Sequence, residues 1–318
     1  MKNKDLNKNI GDESNINSPQ FIPQAGGVRG NIGNESNISS PQFIPSSLGE
    51  TGGVRGNNIL DRIISSKFIE VAERKLKVSI SDLQKSPAFS RKCLSMKQSL
   101  LNSESGIISE FKRKSPSLGW IHQHADVVQV TSGYSAAGAS GISILTDFPF
   151  FGGTPQDLMD ARPQISCPVL RKDFVIDEYQ LYEAKAMGAD VILLIAAALT
   201  VEETLELAKK AHGLGLEVLL EVHNETEIGH ANEFVDMLGV NNRNLKTFEQ
   251  NIQVSFDLAD LIPGQFVKVS ESGISKIETV KELRKVGYKG FLMGENFMKE
   301  KNPAEALSIF IEKITPNP

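Results

Sequence analysis

This chain of 318 residues has few of the features that define membrane, secreted or zinc-binding proteins. It has two cysteines, Cys93 and Cys167, and neither stands in a CxxC or Cys/His ligand spacing. Two isolated cysteines are typical of reduced thiols in a cytoplasmic protein rather than of a disulfide framework. The longest strictly apolar run, residues 191–199, has nine residues, whereas about 20 are needed to span a bilayer. No apolar stretch follows the lysines near the N-terminus, so no signal peptide is predicted.

An excess of positive charge is also missing. The formal net charge is −5 at pH 7 and the pI is about 5.7, which gives no support for a nucleic-acid partner. His122 and His124 have no third metal ligand near them, and residues 133–141 contain glycines but no GxGxxG motif. We therefore predict neither a metal site nor a dinucleotide site. A small anionic substrate stays compatible with the composition, because a site can be locally positive on an acidic protein.

Residues 1–57 contain little that could build a core. Gly, Asn, Ser and Pro supply 29 of these 57 residues, and Phe21 and Phe43 are their only aromatic side chains. A similar segment occurs twice with a period of 22 residues, at 11–23 and 33–45, and GGVRGN follows each copy. Two copies are too few for a solenoid, and the segment buries too little apolar surface to offset its ordering entropy. We predict a flexible, disordered extension of low complexity. A partner-binding tail and translated intergenic sequence are the alternatives.

Residues 58–318 form a segment of 261 residues, close to the length of about 250 that is typical of a (β/α)₈ barrel. Helical apolar spacing runs through residues 58–76, and a second amphipathic stretch runs through 79–101. Short β-branched runs then alternate with amphipathic or Ala-rich segments such as 177–187 and 201–213. The predicted strands are residues 107–111, 141–146, 168–171, 190–195, 216–221, 237–241, 265–270 and 290–293.

The alternation of strands and helices predicts a parallel sheet, because parallel neighbours need crossover connections. Eight such units in about 210 residues fit a closed barrel better than an open doubly wound sheet, which the pattern alone leaves as an alternative. The predicted fold class is therefore α/β. We expect a (β/α)₈ or TIM barrel with extra N-terminal helices, which forms one catalytic domain over residues 58–318.

Polar groups collect where most of the predicted strands end. All strands of a parallel barrel point the same way, so their carboxyl ends share one face, and that face holds the active site in barrel enzymes. Residues far apart in the chain would therefore converge. In strand order, the polar groups are Glu110, Lys112, Thr146, Asp147, Lys172, Asp173, Glu221, Asn241, Arg243, Glu271, Ser272 and Glu295.

Glu110 and Lys112 stand two residues apart, so their side chains leave a strand on the same side, and Phe111 points toward the helices. An acid and a base inside a barrel mouth shift each other's pKa. A strand-end ion pair or a solvated lysine is the plainer interpretation of this motif. Lys172 and Glu221, each taken alone, also have such an interpretation. Several ionisable groups at one rim favour a catalytic site, because unpaired ionisable groups are costly there.

Two glycine-containing pairs indicate where a phosphate would bind. Ser272-Gly273 follows strand 7, and Gly294-Glu295 follows strand 8. Loops after these two strands often hold a phosphate through backbone N–H groups, and glycine allows the backbone to approach closely. We expect the Glu295 side chain to point away from such a dianion while its N–H donates.

The motifs of this chain, in order, resemble those of the indole-3-glycerol-phosphate synthase family. GIISEFKRKSPSLG at residues 106–119 is similar to the first strand motif of that family, in which Glu-x-Lys is followed by a Lys-Ser-Pro-Ser loop. The resemblance covers about residues 58–315 and omits the extension. The later motifs that resemble the family are ISILTDFPFFGG, VLRKDFVIDEYQ, GADVILLI, LLEVHNETE, GVNNRNLKTF, SESGI and FLMGENFM.

This resemblance implies a lyase of tryptophan biosynthesis that needs no metal and no organic cofactor. The implied substrate is 1-(2-carboxyphenylamino)-1-deoxyribulose 5-phosphate, and the implied products are indole-3-glycerol phosphate, CO₂ and water. Lys172 would protonate the ribulose carbonyl oxygen, and Lys112 and Glu110 would act as acid and base in the loss of water. Glu221 would orient these groups or share the proton transfers.

Further residues would hold the substrate. Its polar groups would be oriented by Asn241, Arg243, Ser272 and Ser117, of which Arg243 would pair with the anthranilate carboxylate. The phosphate would lie on Ser272, Gly273, Gly294 and Glu295. The anthranilate ring would occupy an apolar slot made by Phe151, Phe174, Leu193 and Leu245.

Two other functions stay open at this stage. A sugar-phosphate isomerase similar to phosphoribosylanthranilate isomerase would use a Cys/Asp or Asp/Asp pair, whereas strand 1 here ends in Glu110 and Lys112. A non-catalytic barrel that binds partners through the repetitive extension would not need so many ionisable groups at one rim. A monomer is compatible with a barrel of this kind, and the sequence does not decide the oligomeric state.

Overall fold

The computed structural model of the protein describes residues 58–245 and 247–315. The prediction of a flexible extension over residues 1–57 lies outside the described residues. Within them, no helix is both long enough and apolar enough to cross a membrane.

Eight parallel strands, β1 to β8 in chain order, close into a barrel in which β8 pairs with β1. The prediction of a (β/α)₈ barrel is confirmed, and the open doubly wound sheet is wrong. Each observed strand lies within two residues of its predicted bounds. The strands are Ile107–Phe111, Gly141–Leu145, Val169–Lys172, Val191–Ile195, Glu217–Val222, Met237–Asn241, Val267–Glu271 and Tyr288–Met293.

Helices surround the barrel, and three of them precede β1. In chain order, α1 to α12 are Ile59–Lys77, Ile80–Leu83, Met96–Asn102, Val127–Ala136, Phe148–Phe151, Pro155–Ala161, Tyr179–Met187, Val201–Gly213, Gln253–Leu258, Ile277–Lys285, Glu295–Met298 and Pro303–Ile314. Short 3₁₀ helices cover Arg162–Gln164, Ala196–Ala198 and Thr226–His230, and a small antiparallel hairpin pairs Lys114–Ser115 with Gly119–Trp120.

Local sequence signals explain where several of these helices begin and end. α8 begins with a capping box: Thr200 Oγ1 accepts from the N–H of Glu203 at 3.1 Å, and the Glu203 carboxylate accepts from the N–H of Thr200 at 2.8 Å. α7 ends at Gly188, whose φ of 90° lies in the left-handed region that glycine adopts without strain. These signals account for the close agreement at α8, which was predicted over residues 201–213.

The amphipathic stretch over residues 79–101 is not one helix, although the apolar spacing predicted it. It divides into α2 and α3, with turns between them. Pro87 lies in the break, where it lacks an N–H donor and disfavours helical geometry in the residue before it. α3 restarts at Ser95, whose hydroxyl accepts from the N–H of Gln98 at 3.0 Å.

The apolar core has two layers, and the alternation of side chains along each strand divides residues between them. Ile192 and Leu194 of β4 pack outward against the helices, whereas Leu193 packs inside the barrel. Met96 and Leu100 of α3 join the inner layer. Because Met96 also contacts Gly141 at the start of β2, α3 closes the amino-terminal end of the barrel. The carboxyl-terminal end is where a cavity remains.

Candidate active site

The carboxyl ends of the strands surround a cavity of about 370 Å³. This volume lies in the range of about 300–1,000 Å³ that is usual for small-molecule sites. All the residues that the sequence predicted for catalysis and substrate binding line this one cavity, although their roles stay predictions. They are Glu110, Lys112, Ser117, Phe151, Lys172, Phe174, Leu193, Glu221, Asn241, Arg243, Leu245, Ser272, Gly273, Gly294 and Glu295. Thr146 and Asp147, which were also predicted at the strand ends, do not line it.

Lys172, at the end of β3, lies between two buried carboxylates. Its Nζ is 2.8 Å from Glu271 Oε2 and 3.0 Å from Glu221 Oε2. Burial by itself would lower the pKa of Lys172, but the charges of Glu221 and Glu271 outweigh burial and raise it well above its usual value. Lys172 therefore holds its proton firmly at neutral pH, as a general acid must before the reaction begins.

The two carboxylates beside Lys172 have opposite pKa shifts. Burial opposes the charge of Glu221, but Lys172, His223 and Asn241 stabilise it, and they hold its pKa well below the usual range. Burial and the neighbouring charge of Glu221 raise the pKa of Glu271 to about 7, against the attraction of Lys172. Such a pair supplies one permanent anion and one group that changes protonation near neutral pH, which is a pattern found in acid–base sites.

Glu271 is the functional candidate that sequence reasoning missed. It was recognised as the end of strand 7, but no role was assigned to it. The alternation of β7 supplies the missing signal, because Val267 and Val269 face the inside of the barrel and Glu271 must follow them. Its Oε1 has no hydrogen-bond partner among the residues that the structure describes. Gly239 leaves the space for it, since a Cβ there would lie 2.3 Å from that oxygen.

Glu110 and Lys112 form an ion pair of 2.6 Å that borders the same cavity. A strand-end ion pair and a place in the candidate site were alternative interpretations of these two residues, and the structure shows both together. Phe111 between them packs in the outer layer, as predicted. Gly294, which directly follows β8, leaves room for Glu110, because a Cβ there would lie 2.9 Å from both Cβ and Oε1 of Glu110.

Arg243 lies at the rim of the cavity and links three segments. Its Nη1 donates to Ser117 Oγ at 2.8 Å, and its Nη2 lies 3.5 Å from Glu295 Oε2. The backbone N–H of Arg243 donates to Asn241 Oδ1 at 3.0 Å, so the end of β6 and the residue two positions beyond it are held together. The guanidinium group of Arg243 can form an ion pair with a carboxylate group of a ligand at this rim.

The loop after β7 contains two consecutive residues with a left-handed backbone. Ser272 and Gly273 have φ values of 65° and 72°, and the left-handed region is unusual for a serine. The buried side chain of Asn242 holds the turn, because its Nδ2 donates to the carbonyl oxygens of Glu271 at 2.9 Å and Ser272 at 3.1 Å. Ser272 and Gly273 both line the cavity, and glycine allows a ligand to approach the backbone closely.

The apolar side of the cavity combines the predicted slot with α1. The rings of Phe151 and Phe174 lie 6.0 Å apart between centroids. Ile59, Leu60 and Ile63 also line the cavity, and none of them was predicted. The sequence shows that α1 is amphipathic but not which partner its apolar face covers.

A buried group of charges holds α1 against the barrel. Lys67 of α1 is fully buried, and its Nζ lies 2.6 Å from Glu70, 3.0 Å from Asp147 and 2.9 Å from Asp173. Asp173 follows Lys172 directly. Burial would raise the pKa of Asp173, but Arg171 and Lys67 lower it far below the usual range. The same ion pairs therefore fix α1 over the cavity and anchor the end of β3.

The strands form a closed parallel barrel, and its carboxyl-terminal mouth holds a lysine between two carboxylates and a second Lys–Glu pair. This arrangement is typical of a TIM-barrel enzyme with a site for a small ligand. A family model described as indole-3-glycerol phosphate synthase matches residues 60–310. The chain therefore belongs to the indole-3-glycerol phosphate synthase family.

Relatives of known name agree over almost their whole length. The indole-3-glycerol phosphate synthase of Bacteroides thetaiotaomicron is 52% identical over 257 residues, which cover 81% of this chain and 99% of the relative. That of Burkholderia ambifaria is 42% identical over 262 residues, with 79% and 98% covered. The 3-hexulose-6-phosphate synthase of Salmonella typhimurium superposes with a TM-score of 0.51 over 66% of this chain and 100% of its own. At 14% identity it shows the fold alone.

The predicted family and its enzymatic class, a lyase that closes a ring with decarboxylation, are confirmed. The sugar-phosphate isomerase and the non-catalytic barrel are set aside.

Proposed function

We propose that this protein converts 1-(2-carboxyphenylamino)-1-deoxyribulose 5-phosphate to indole-3-glycerol phosphate, CO₂ and water, with the catalytic roles assigned below. The observation that carries these roles is the position of Lys172 between Glu221 and Glu271 in the cavity. In the first step a carbonyl oxygen becomes a hydroxyl and therefore needs a proton. A lysine that is held in place and protonated can donate it.

Lys172 acts in the ring closure. The aromatic carbon that bears the carboxylate attacks the ribulose carbonyl carbon, and Lys172 gives its proton to the carbonyl oxygen as the new bond forms. Glu221 and Glu271 hold Nζ in place through ion pairs of 3.0 and 2.8 Å. CO₂ then leaves from the same ring carbon, and the benzene ring becomes aromatic again.

Glu110 and Lys112 act in the loss of water. Lys112 protonates the departing hydroxyl, and Glu110 takes the proton from the adjacent carbon so that the pyrrole double bond forms. Their ion pair of 2.6 Å keeps acid and base together at one side of the cavity. Glu271 shares the proton transfers around Lys172, because its pKa of about 7 lets it hold or release a proton under ordinary conditions.

The rest of the cavity positions the substrate. The phosphate lies on backbone N–H groups of Ser272 and Gly273 and at the start of α11, next to Gly294 and Glu295. Arg243 pairs with the anthranilate carboxylate, and Asn241 and Ser117 hold Glu221 and Arg243 in their orientations. The anthranilate ring occupies the slot lined by Phe151, Phe174, Leu193 and Leu245.

We also propose that the protein works in the cytoplasm on this small anionic substrate, as a monomer without nucleic-acid or membrane partners. The acidic composition and the two isolated cysteines support this proposal. Sedimentation velocity at micromolar concentration measures the oligomeric state, and a stable dimer would contradict the monomer.

One assay tests the proposed reaction directly. The purified protein is incubated with the carboxyphenylamino-deoxyribulose phosphate in the absence of added metal, and the appearance of indole fluorescence is followed. We expect turnover that is abolished in a folded Lys172→Met variant. Folded wild-type protein that gives no indole signal would contradict the proposal.

A further inference from the structure

His223 connects the interior of the site to the surface of the protein. It follows Glu221 by two residues at the end of β5, so both side chains leave the chain on the same side. Its Nε2 lies 3.4 Å from Glu221 Oε1, and its Nδ1 lies 3.1 Å from Glu227 Oε2. The cavity is lined by Glu221 but not by His223 or Glu227. One imidazole therefore stands between a carboxylate of the site and a carboxylate outside it.

Glu221, His223 and Glu227 form a series of neighbouring groups, and its outer end, Glu227, reaches solvent. Glu227 belongs to the 3₁₀ helix Thr226–His230 and is partly exposed. Its Oε1 accepts from the side chain of Asn224 at 2.7 Å, and Asn224 is exposed. Its Oε2 also accepts from the backbone N–H of His223 at 2.8 Å, which fixes the distance between the ring and this carboxylate.

At the inner end of this series of groups, His223 and Glu221 are close but share no hydrogen bond. His223 Nε2 is buried, and within the described chain it makes no hydrogen bond, although Glu221 Oε1 faces it. Glu221 Oε1 instead accepts from Asn241 at 3.0 Å, and its Oε2 accepts from Lys172 at 3.0 Å. A small rotation of the ring would complete a hydrogen bond from His223 to Glu221. The contacts would then run without a gap from Glu227 to Lys172.

The proposed reaction needs such a route, and the inference rests on that proposed function. Neutral CO₂ and water leave a substrate that arrives with an ionised carboxylate, so the balance of atoms and charge requires one proton from solvent in each turnover. Lys172 gives its proton to the substrate, and it must be reloaded while the substrate occupies the mouth of the barrel.

We propose that His223 relays this proton from solvent at Glu227 to Glu221, and through Glu221 to Lys172. The Nε2–H bond of the imidazolium breaks and an O–H bond forms on Glu221, which passes a proton to the neutral amine of Lys172. The neutral ring keeps its Nδ1–H bond, so it rotates to bring Nε2 to water beside Glu227, takes up a proton there and turns back as the imidazolium. No oxidation or reduction takes place, and each proton that leaves a group is replaced.

The electrostatics favour this direction of transfer. Two carboxylates face the ring, Glu221 from β5 and Glu227 from the 3₁₀ helix. Burial lowers the pKa of His223, but its contacts with these carboxylates raise it to about 10, so the ring is charged at neutral pH. Once Lys172 has lost its proton, Glu221 no longer has a cation beside Oε2. Glu221 then becomes a better proton acceptor, and the neutral lysine becomes a strong base.

His223 acts through Glu221 and does not border the cavity, so it is a positioning residue for the proton rather than a catalytic residue. The test compares His223→Ala and His223→Asn with wild type in steady-state turnover at low buffer concentration, because Lys172 must be reloaded before each further turnover. Asparagine still donates a hydrogen bond to a neighbouring carboxylate but does not carry a proton. His230→Asn is the matched control, because His230 lies on the 3₁₀ helix that carries Glu227 but its Nδ1 contacts Thr204 Oγ1 at 3.0 Å.

We expect both His223 variants to lose at least about 10-fold in kcat while KM changes little. Added imidazole at constant ionic strength should restore much of the rate in His223→Ala, and wild type and His230→Asn should not respond. Two results would overturn the proposal: a rate equal to that of wild type, or a loss in folded protein that imidazole does not restore. Wild-type protein without activity would instead contradict the proposed function itself.

Discussion

At the scale of single residues, the site depends on charges that hold one another in place. Lys172 is protonated because two carboxylates flank it, and the pKa values of those carboxylates diverge because one has more partners than the other. Sequence reasoning identified Lys172 and Glu221 from the ends of strands. It could not rank Glu271 with them, because the spacing that reveals Glu271 depends on knowing which face of β7 is inside.

The lysine and its inner carboxylate give the first prediction. We expect Lys172→Met and Glu221→Gln each to lower kcat by at least about 100-fold, because each removes a partner of the proton transfer in the ring closure. Indole fluorescence under saturating substrate measures the loss, and circular dichroism confirms that the variants are folded. Near-normal turnover in either variant would contradict its assigned role.

The raised pKa of Glu271 predicts how the stability of the protein depends on pH. The folded state keeps the Glu271 proton up to about pH 7, whereas the unfolded chain loses it near the ordinary value of about 4.3. Ionising this buried group therefore destabilises the folded state progressively between those two values. Glu271→Gln imitates the neutral acid, so we expect it to be more stable than wild type at pH 8, on the order of 1–3 kcal/mol.

Urea unfolding of wild type and Glu271→Gln at pH 5 and pH 8 measures this difference. The advantage of the variant should shrink as the pH falls, because wild type then carries a proton on the same group. A difference in the free energy of unfolding that is the same at both pH values would show that Glu271 does not titrate in this range.

At the scale of elements, α1 is the part whose position the sequence predicted least. Its boundaries agree with the apolar spacing over residues 58–76, but its place beside the cavity depends on Lys67 meeting Asp147 and Asp173 from two different strand ends. No local pattern pairs those residues, because they are separated along the chain and are brought together only when the barrel closes. The break between α2 and α3 was also not predicted, because Pro87 interrupts the helix although the apolar spacing continues.

Removing the charge of Lys67 should release α1 from the barrel. We expect Lys67→Met to lower the free energy of unfolding by about 3–5 kcal/mol, because it leaves buried carboxylates without their cation. It should also raise KM, since Ile59, Leu60 and Ile63 of α1 line the cavity. Lys77→Met is the control: that side chain is 74% exposed and its ion pair with Glu73 is 3.9 Å long. The control should change stability by less than about 0.5 kcal/mol, and an equal effect of both substitutions would contradict the role of Lys67.

This effect has a predictable pH dependence. The pKa of Asp173 is lowered in the folded state, so its ion pairs stabilise the protein above the unfolded value of about 3.9 and lose that contribution as the pH falls. The difference in stability between wild type and Lys67→Met should therefore decrease in acid.

At the scale of the whole molecule, we predict that the catalytic barrel folds and is active without the first 57 residues. The family model begins at residue 60, and the relative from Bacteroides thetaiotaomicron is matched over 99% of its length by 81% of this chain. We expect deletion of residues 2–57 to leave kcat and Tm nearly unchanged. A large loss of either would show that the extension contributes to the folded enzyme.

The deletion has a built-in comparison at its boundary. Asn58 caps α1, because its Oδ1 accepts from the N–H of Asp61 at 3.0 Å. Extending the deletion by this one residue should therefore cost about 1 kcal/mol of stability, measured by urea unfolding of the two truncated proteins. Equal stability of the two would show that the cap contributes nothing.

The sequence by itself determined the elements and their order. Short β-branched runs marked eight strands, and amphipathic or Ala-rich segments marked helices between them. The alternation of the two predicted a parallel barrel whose carboxyl ends carry Glu110, Lys172 and Glu221. These are local properties, and they depend on residues that are neighbours in the chain. Only the tertiary structure decided that Glu271 joins Lys172, that α1 borders the cavity through Lys67, and that His223 links Glu221 to the surface. The first two of these contacts join side chains that are far apart in the sequence. They come close only when the barrel closes, and their burial then determines which of them are charged.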